Sequence, residues 1–274
     1  TEIRRDFAFD VIDAEFFFPD GPAAVALGRH FGVPVSIKAR GADIHHWGTA
    51  PATAAHVVTA GQEANGVLAV SQAMRADMVA LGIPAERIRV HHTGVDLDRF
   101  APRDRRTGKA SYGVEGPLVV SLGALIARKG HDVVIDAAAS LPGTTLLIAG
   151  EGPARAALEA QIAARGLADR VRLLGAIPHG DLPGLLAAAD VMALASASEG
   201  LANAWVEALA CGTPIVITSA GGAGEVVTDA AYGRIADRTP QAFAAAIAAV
   251  LADLPSPEAV RTGAARFTWP ANTA

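Results

Sequence analysis

Two glutamates, Glu199 and Glu207, stand eight positions apart in SEGLANAWVEALACGTPIVIT (Ser198 to Thr218), between two apolar strand-like runs. An ionised carboxylate accepts hydrogen bonds from both hydroxyls of a vicinal diol. With one carboxylate on a loop and the other in the helix that follows, the pair can grip two separated hydroxyl-bearing parts of one elongated ligand, such as a nucleotide sugar. Eight helical positions span about 12 Å, too far for a shared proton or metal ion. The distance also exceeds the roughly 5 to 9.5 Å between the carboxyl groups of a glycoside hydrolase. Between them, Leu201, Ala202 and Asn203 are expected to present backbone N–H groups at a helix start, where the dipole favours an anion such as a diphosphate. The plain alternative is two solvated charges on a helix surface, and the rest of the chain decides between the readings.

Lys129 and Gly130 follow the apolar run Leu118 to Leu122 in a loop that opens a helix. An ammonium there can stabilise a departing phosphoryl group electrostatically; a lysine lying over apolar neighbours is the structural alternative. Gly221 and Gly222 have no Cβ, so a phosphate or sugar can approach their backbone closely. Glu225 beside them reads as a helix-start charge.

The elements that must position these residues alternate. Apolar runs at Phe9 to Ile12, Val33 to Ile37, Gly66 to Val70 and Ile88 to His91 are separated by helical patterns near Ala23 to Phe31, Pro51 to Ala60 and Ser71 to Leu81. Ser71 reads as an N-cap and Gly82 as a stop. The second half repeats the rhythm with strands at Leu118 to Leu122, Thr145 to Ala149, Val171 to Leu173, Val191 to Ala195 and Ile215 to Thr218. Short apolar runs joined by helices imply parallel sheets. The expected architecture is α/β: two Rossmann-like domains facing a cleft, with residues 1–97 as a partial first domain, 98–116 as a linker and 117–274 as the second. The stretch Leu97 to Pro117, with Arg103, Arg105, Arg106 and Lys109 among glycines and prolines, reads as a solvated hinge. Ligands of such sheets bind outside the carboxyl ends of the strands, where the candidate residues fall.

Composition narrows the class. With 274 residues the chain accommodates about two domains, and 51% hydrophobic with 19% charged residues is ordinary for a globular protein. A net charge of −5 argues against a broad nucleic-acid surface. Cys211 is the only cysteine, so no internal disulfide forms, which fits a cytoplasmic setting; its surroundings, ALACGTP, suit a small buried hydrophobe at a helix end. No apolar stretch reaches the ~18 residues of a spanning helix.

Six segments carry a resemblance: HTGVDLDRF (His92 to Phe100), SLGALIARKG (Ser121 to Gly130), LLIAGEGP (Leu146 to Pro153), LLGAIPHGDLPGLLAAADV (Leu173 to Val191), the glutamate segment, and GGAGEVV (Gly221 to Val227). In this order and spacing the chain resembles the retaining GT-B glycosyltransferases of family 4 over nearly its whole length. The resemblance implies transfer of a sugar from a UDP-, GDP- or other nucleoside-diphosphate sugar to a hydroxyl of a glycan, lipid-linked or small-molecule acceptor. It implies no metal and no cofactor. Glu199 would contact the transferred sugar, Glu207 the ribose, Lys129 and Gly123 the diphosphate, and Ala176 and Ile177 would cradle the base through backbone groups. A lipid-linked acceptor would bring the chain peripherally to the inner face of a membrane. Relatives carry a further N-terminal strand with a glycine-rich loop and a C-terminal helix that crosses back to the first domain, so the sequence reads as cut at both ends.

Two departures stand out. Relatives place arginine directly after the first glycine, where this chain reads Gly123-Ala124-Leu125, leaving Arg128 as the substitute cation. Many carry H-G-x-D where this chain has Arg40-Gly41-Ala42-Asp43. Arginine is no general base, but Arg40 suits a phosphate or an acidic group of the acceptor; Asp43 is kept as a catalytic candidate. Adjacent His45 and His46 lack ligand-spaced partners and read as surface loop. Asp96-Leu97-Asp98 spells D-x-D inside the interdomain segment and is weak evidence for metal. Gly150-Glu151-Gly152 begins a dinucleotide fingerprint but meets Arg155 in its third position, which disfavours an NAD-linked oxidoreductase. Ala124 and Arg40 leave a second reading open, a nucleotide-binding relative without turnover.

Overall fold

The computed structural model describes residues 6–273. They form two compact units, one running to His92 and taking in Ser198–Leu201, the other comprising Thr93–Ala197 and the chain from Ala202 onward.

In the first unit, strands β1 (Ile12–Ala14), β2 (Val35–Ala39), β3 (Gly66–Ala69) and β4 (Ile88–Val90) form a parallel sheet in sequence order. Helices α1 (Asp20–Phe31), α2 (Ala54–Glu63) and α3 (Gln72–Ala80) connect them, with a π-helix at Asp43–Trp47 after β2. Pairing begins at Ile12, opposite Val35, rather than at Phe9. The Phe9 ring instead packs edge-on against Phe31 at 5.5 Å. As its hydroxyl implies, Ser71 caps α3 by accepting from Met74 N at 3.0 Å. Phe17, Ile37, Val57, Met74 and Met78 fill the core between sheet and helices.

The second unit holds a six-stranded parallel sheet ordered β10-β9-β8-β5-β6-β7. Its strands are β5 (Leu118–Leu122), β6 (Thr145–Ala149), β7 (Val171–Gly175), β8 (Val191–Leu194), β9 (Ile215–Ile217) and β10 (Gly233–Ile235). Every residue of β5 and β8 is buried, as continuous apolar runs in a sheet covered on both faces require. The short β10, GRI, carries too little apolar signal to be legible. Helices α4 (Arg105–Ser111), α5 (His131–Ala139), α6 (Arg155–Ala164), α7 (Leu182–Ala188) and α8 (Asn203–Ala210) are joined by α9 (Ala223–Val226), α10 (Pro240–Ala252), α11 (Pro257–Arg261) and α12 (Trp269–Thr273).

The basic stretch read as a solvated hinge is folded. Asp104 caps α4 by accepting from Thr107 N at 3.0 Å. From α4, Lys109 Nζ reaches Asp190 Oδ2 at 2.5 Å and Arg105 Nε stands 3.8 Å from Oδ1. Asp190, 4% exposed, also accepts from Leu118 N at 2.7 Å, so one carboxylate ties α4 to the start of β5. Cys211 ends α8 and is buried; burial pushes its thiol up to about 12.

Two outcomes follow from this packing. Replacing Asp190 by alanine strands an amide and two cations, and urea unfolding should show a loss of about 3–5 kcal/mol, partly recovered by adding Lys109→Met; an unchanged midpoint would remove this tie from the account. Because the thiolate is the reactive form, Cys211 should resist a disulfide reagent at pH 8 in the folded protein and react at once in denaturant. Fast labelling of the native chain would contradict its burial.

Candidate functional site

In the second unit, sequential strands diverge at β5, which pairs with β6 on one side and β8 on the other. Such a switch point leaves a crevice at the strands' carboxyl ends. Gly123 leaves β5 with φ 148° and donates its N–H to Ala149 O at 3.0 Å. The Lys129 stem lies over its bare α-carbon, Cδ and Cε being 3.5 and 3.6 Å from where a Cβ would stand. The structure therefore brings Gly123 and Lys129 together. Arg128 shares the 3-10 turn Ala127–Lys129, and its carbonyl accepts from Ala197 N at 2.8 Å.

Gly130 explains how the β5 and β8 loops come so near. At φ 69° it adopts the left-handed region, and a Cβ on it would lie 2.0 Å from Ala195 O. Arg238 staples the same place, donating to Ala195 O at 2.8 Å and Ala127 O at 2.9 Å. Behind the turn, buried His131 bonds Ser121 Oγ through Nδ1 at 2.9 Å, and burial holds its pKa below the ordinary histidine value.

Glu207 sits in α8 and is 7% exposed. Its Oε1 meets His179 Nε2 at 3.0 Å, and the His179 ring leans on Phe100 at 5.5 Å. One carboxylate oxygen is thus engaged by the protein, a partner the sequence reading overlooked although His179 lies inside the IPHGDL segment. The α8 N-terminus has no side-chain cap, since Ala202 at the cap offers no acceptor. Ala202 and Asn203 stand at this helix start as expected, whereas Leu201 falls in the segment grouped with the first unit. The helical ruler of about 12 Å between the glutamates does not hold, because α8 starts only at Asn203 and Glu199 lies in the preceding loop. Ile177 is partly buried in the loop after β7. Gly222 is the N-cap of the short α9, and Gly221 precedes it with φ 52°.

In the first unit, Asp43 supports the loop that follows β2. It is fully buried, and its carboxylate accepts from Phe17 N at 3.1 Å, Arg40 N at 3.0 Å and Gly41 N at 2.7 Å. A carboxylate so committed to backbone amides shapes the loop after β2. Arg40 pairs through its guanidinium with Glu15, which answers the charge that was expected to meet a ligand. His45 is no surface-loop residue either: within the π-helix its Nδ1 meets Ser198 Oγ and its Nε2 meets Asp77 Oδ2, both at 2.8 Å.

These contacts fix the Glu199 loop. Ser71, besides capping α3, donates to Gly200 O at 3.2 Å. A Cβ on Gly200 would lie 2.6 Å from Arg40 O. Glu199, 8% exposed, is held between neighbours anchored on either side. No signal in the sequence links His45 to Asp77 or Ser198, which lie 32 and 153 positions away.

Asp96 accepts from Asp98 N at 2.9 Å and Arg99 N at 3.1 Å, so the first aspartate of the D-x-D triplet closes its own turn. Among the described residues, no three His, Cys, Asp or Glu side chains gather as a metal-holding group. Gly150 needs its bare α-carbon because a Cβ would lie 1.8 Å from Gly123 O.

Known proteins resemble this chain in sequence and fold. Residues 104–267 match the family model of glycosyl transferases group 1, and residues 1–99 that of Glycosyltransferase Family 4. D-inositol 3-phosphate glycosyltransferases of Mycobacterium bovis and Mycobacterium tuberculosis are 40% identical over 162 residues, 56% of this chain and 34% of theirs. The aligned part thus spans about a third of those relatives. The crystal structure of HepE from Anabaena in complex with UDP superimposes with a TM-score of 0.88 at 25% identity, covering 99% of this chain and 78% of HepE. HepE in complex with UDP-glucose gives 0.87 at 26%, with 96% and 76% coverage. Sucrose-phosphate synthase from Thermosynechococcus elongatus shares the fold, with a TM-score of 0.86 at 22% identity over 99% of this chain and 73% of that one. With a family match over more than half its length and two parallel-sheet domains, this chain belongs to the glycosyl transferases group 1 family.

Proposed function

We propose that the protein transfers a sugar from a nucleoside-diphosphate sugar to an acceptor hydroxyl, with retention of anomeric configuration and without a metal ion. The observation that carries this reading is the meeting of Lys129 with Gly123 at the end of β5, next to the loop that leads from β8 toward α8 and Glu207. The UDP and UDP-glucose complexes of HepE support a nucleotide-sugar donor.

On this reading the diphosphate rests by the Lys129 ammonium and the uncapped start of α8, where Ala202 and Asn203 supply amide donors. Arg128 adds charge in place of the arginine missing at Ala124. Glu207 accepts from the ribose hydroxyls through the capacity that His179 leaves, Ile177 meets the base, and Gly221 and Gly222 admit phosphate or sugar to their backbone. Glu199, with the backbone of Leu201 nearby in sequence, orients the transferred sugar. The bond from the anomeric carbon to the β-phosphate oxygen breaks as the acceptor oxygen bonds to that carbon from the same face, and the acceptor proton passes to the leaving phosphate. Preorganised donors aimed at developing charge carry most of the work.

The acceptor is a glycan, a lipid-linked sugar or a small molecule. Among the described residues no helix is long and apolar enough to cross a membrane; for a lipid-linked acceptor the reading is peripheral association. The Arg40–Glu15 pair favours one other reading, nucleotide binding without turnover, because it withdraws a cation from the site.

Calorimetric titration with UDP, GDP and ADP tests the donor half. Lys129→Met should weaken the preferred diphosphate at least about tenfold, as the loss of a charge-assisted bond worth about 1.5–3 kcal/mol requires, and Glu207→Gln should do likewise. Equal affinity in both variants would overturn the site. Released nucleotide and the anomer formed, followed by NMR, separate transfer from mere binding.

A second outcome concerns the Glu199 loop. His45→Ala frees Ser198 and should lower kcat at least about tenfold, since a misplacement near 1 Å costs more than that, with diphosphate affinity unchanged; His45→Gln should recover part. An unaltered kcat would dissociate His45 from catalysis.

A further inference from the structure

The first unit holds a buried cation that the donor reading does not use. Lys38 lies in β2, opposite Leu68 of β3, which in turn stands opposite Arg89 of β4. From this row the Lys38 side chain crosses β3 to His91, just past β4, with Nζ 3.0 Å from Nδ1. Lys38 is only 6% exposed, yet among the described residues no carboxylate lies within ion-pair distance of its ammonium. The nearest charges are arranged otherwise: Glu15 is taken by Arg40, and Asp13 and Glu15 act on Lys38 only at longer range.

An ammonium removed from water without a counter-ion is costly, and its cost is relieved when an anion arrives. An ammonium donor forces Nδ1 of His91 to be the acceptor, which leaves the His91 proton on Nε2. Two ammonium N–H groups then have no acceptor among the described residues. They lie at the carboxyl edge of a parallel sheet, where α/β proteins bind ligands. Burial and the Arg40 guanidinium lower the Lys38 pKa, with Glu15 and Asp13 opposing; burial and Lys38 lower that of His91, with a hydrogen bond to its own backbone and Glu15 raising it and His92 lowering it further. A bound anion reverses both penalties.

We propose that Lys38 and His91 form a subsite for an anionic group, a phosphate or a carboxylate, on the molecule that accepts the sugar. This rests on the glycosyl-transfer reading for the word acceptor; the anion subsite itself does not. It narrows the acceptor to a charged carbohydrate or polyol, and the neighbouring Arg40, released from Glu15, would be a third donor.

The test uses matched probes: glucose, glucose 6-phosphate and glucuronate, titrated calorimetrically into the protein with and without UDP. The wild type should bind at least one anionic probe about tenfold or more tighter than glucose, the two anionic arms telling phosphate from carboxylate. Lys38→Met should erase that preference, His91→Ala should weaken it, and Lys38→Arg should retain it. UDP affinity should stay within about twofold in all three, the expectation for independent sites. Lys38→Met should also raise the melting temperature of the ligand-free protein, whereas a lysine with a purely structural part would lower it. Wild type that binds neither anion better than glucose, or a Lys38→Met variant that keeps the preference, overturns the subsite. Loss of UDP binding in the wild type would instead strike the donor reading and leave the anion result standing.

Discussion

The contact between Gly130 and the Ala195 carbonyl governs the second unit's site. With φ 69° and no room for a Cβ, Gly130 lets the turn after β5 settle on the backbone that leaves β8. Any side chain there would push the two loops apart, and the left-handed conformation alone disfavours other residues. Lys129 precedes this glycine and Ala197 follows the carbonyl, their turn tied by the bond from Ala197 N to Arg128 O. Arg238 closes the joint by donating to both loops. The Lys129 stem is therefore placed over Gly123 by the backbone geometry of this joint.

The first unit solves a different problem with carboxylates and histidine. Asp43 spends its acceptors on the amides of the loop after β2, and His45 spends both ring nitrogens on Ser198 and Asp77. A carboxylate saturated by amides stabilises a loop better than it could serve chemistry. The result is a loop held at Ser198 and Gly200, on either side of Glu199. Lys38 is the exception, a buried donor whose needs the protein meets only in part.

Strands were legible wherever burial on both faces left a pure apolar run. Leu118–Leu122 and Thr145–Ala149 have the bounds their residues imply. The β10 strand is short and carries Arg234, so periodicity could not find it. Charge was harder to read than apolarity, because its meaning depends on distant partners. Arg105 and Lys109 suggested solvent until Asp190 supplied a buried counter-charge. Asp43 looked catalytic because side-chain bonds to backbone amides leave no trace in residue type. Glu207 and Lys129 were visible through their motif surroundings, while nothing in the sequence marks His179, 28 positions before Glu207, as the residue that engages one glutamate oxygen.

A crystal structure with UDP tests the central claim, that the β5 and β8 loops bind a nucleoside diphosphate. The β-phosphate should lie within about 3 Å of Lys129 Nζ, the distance of a charge-assisted hydrogen bond, with a ribose hydroxyl on Glu207 and the base beside Ile177. Density for the nucleotide away from these loops, or a diphosphate with no contact to Lys129, would contradict the account.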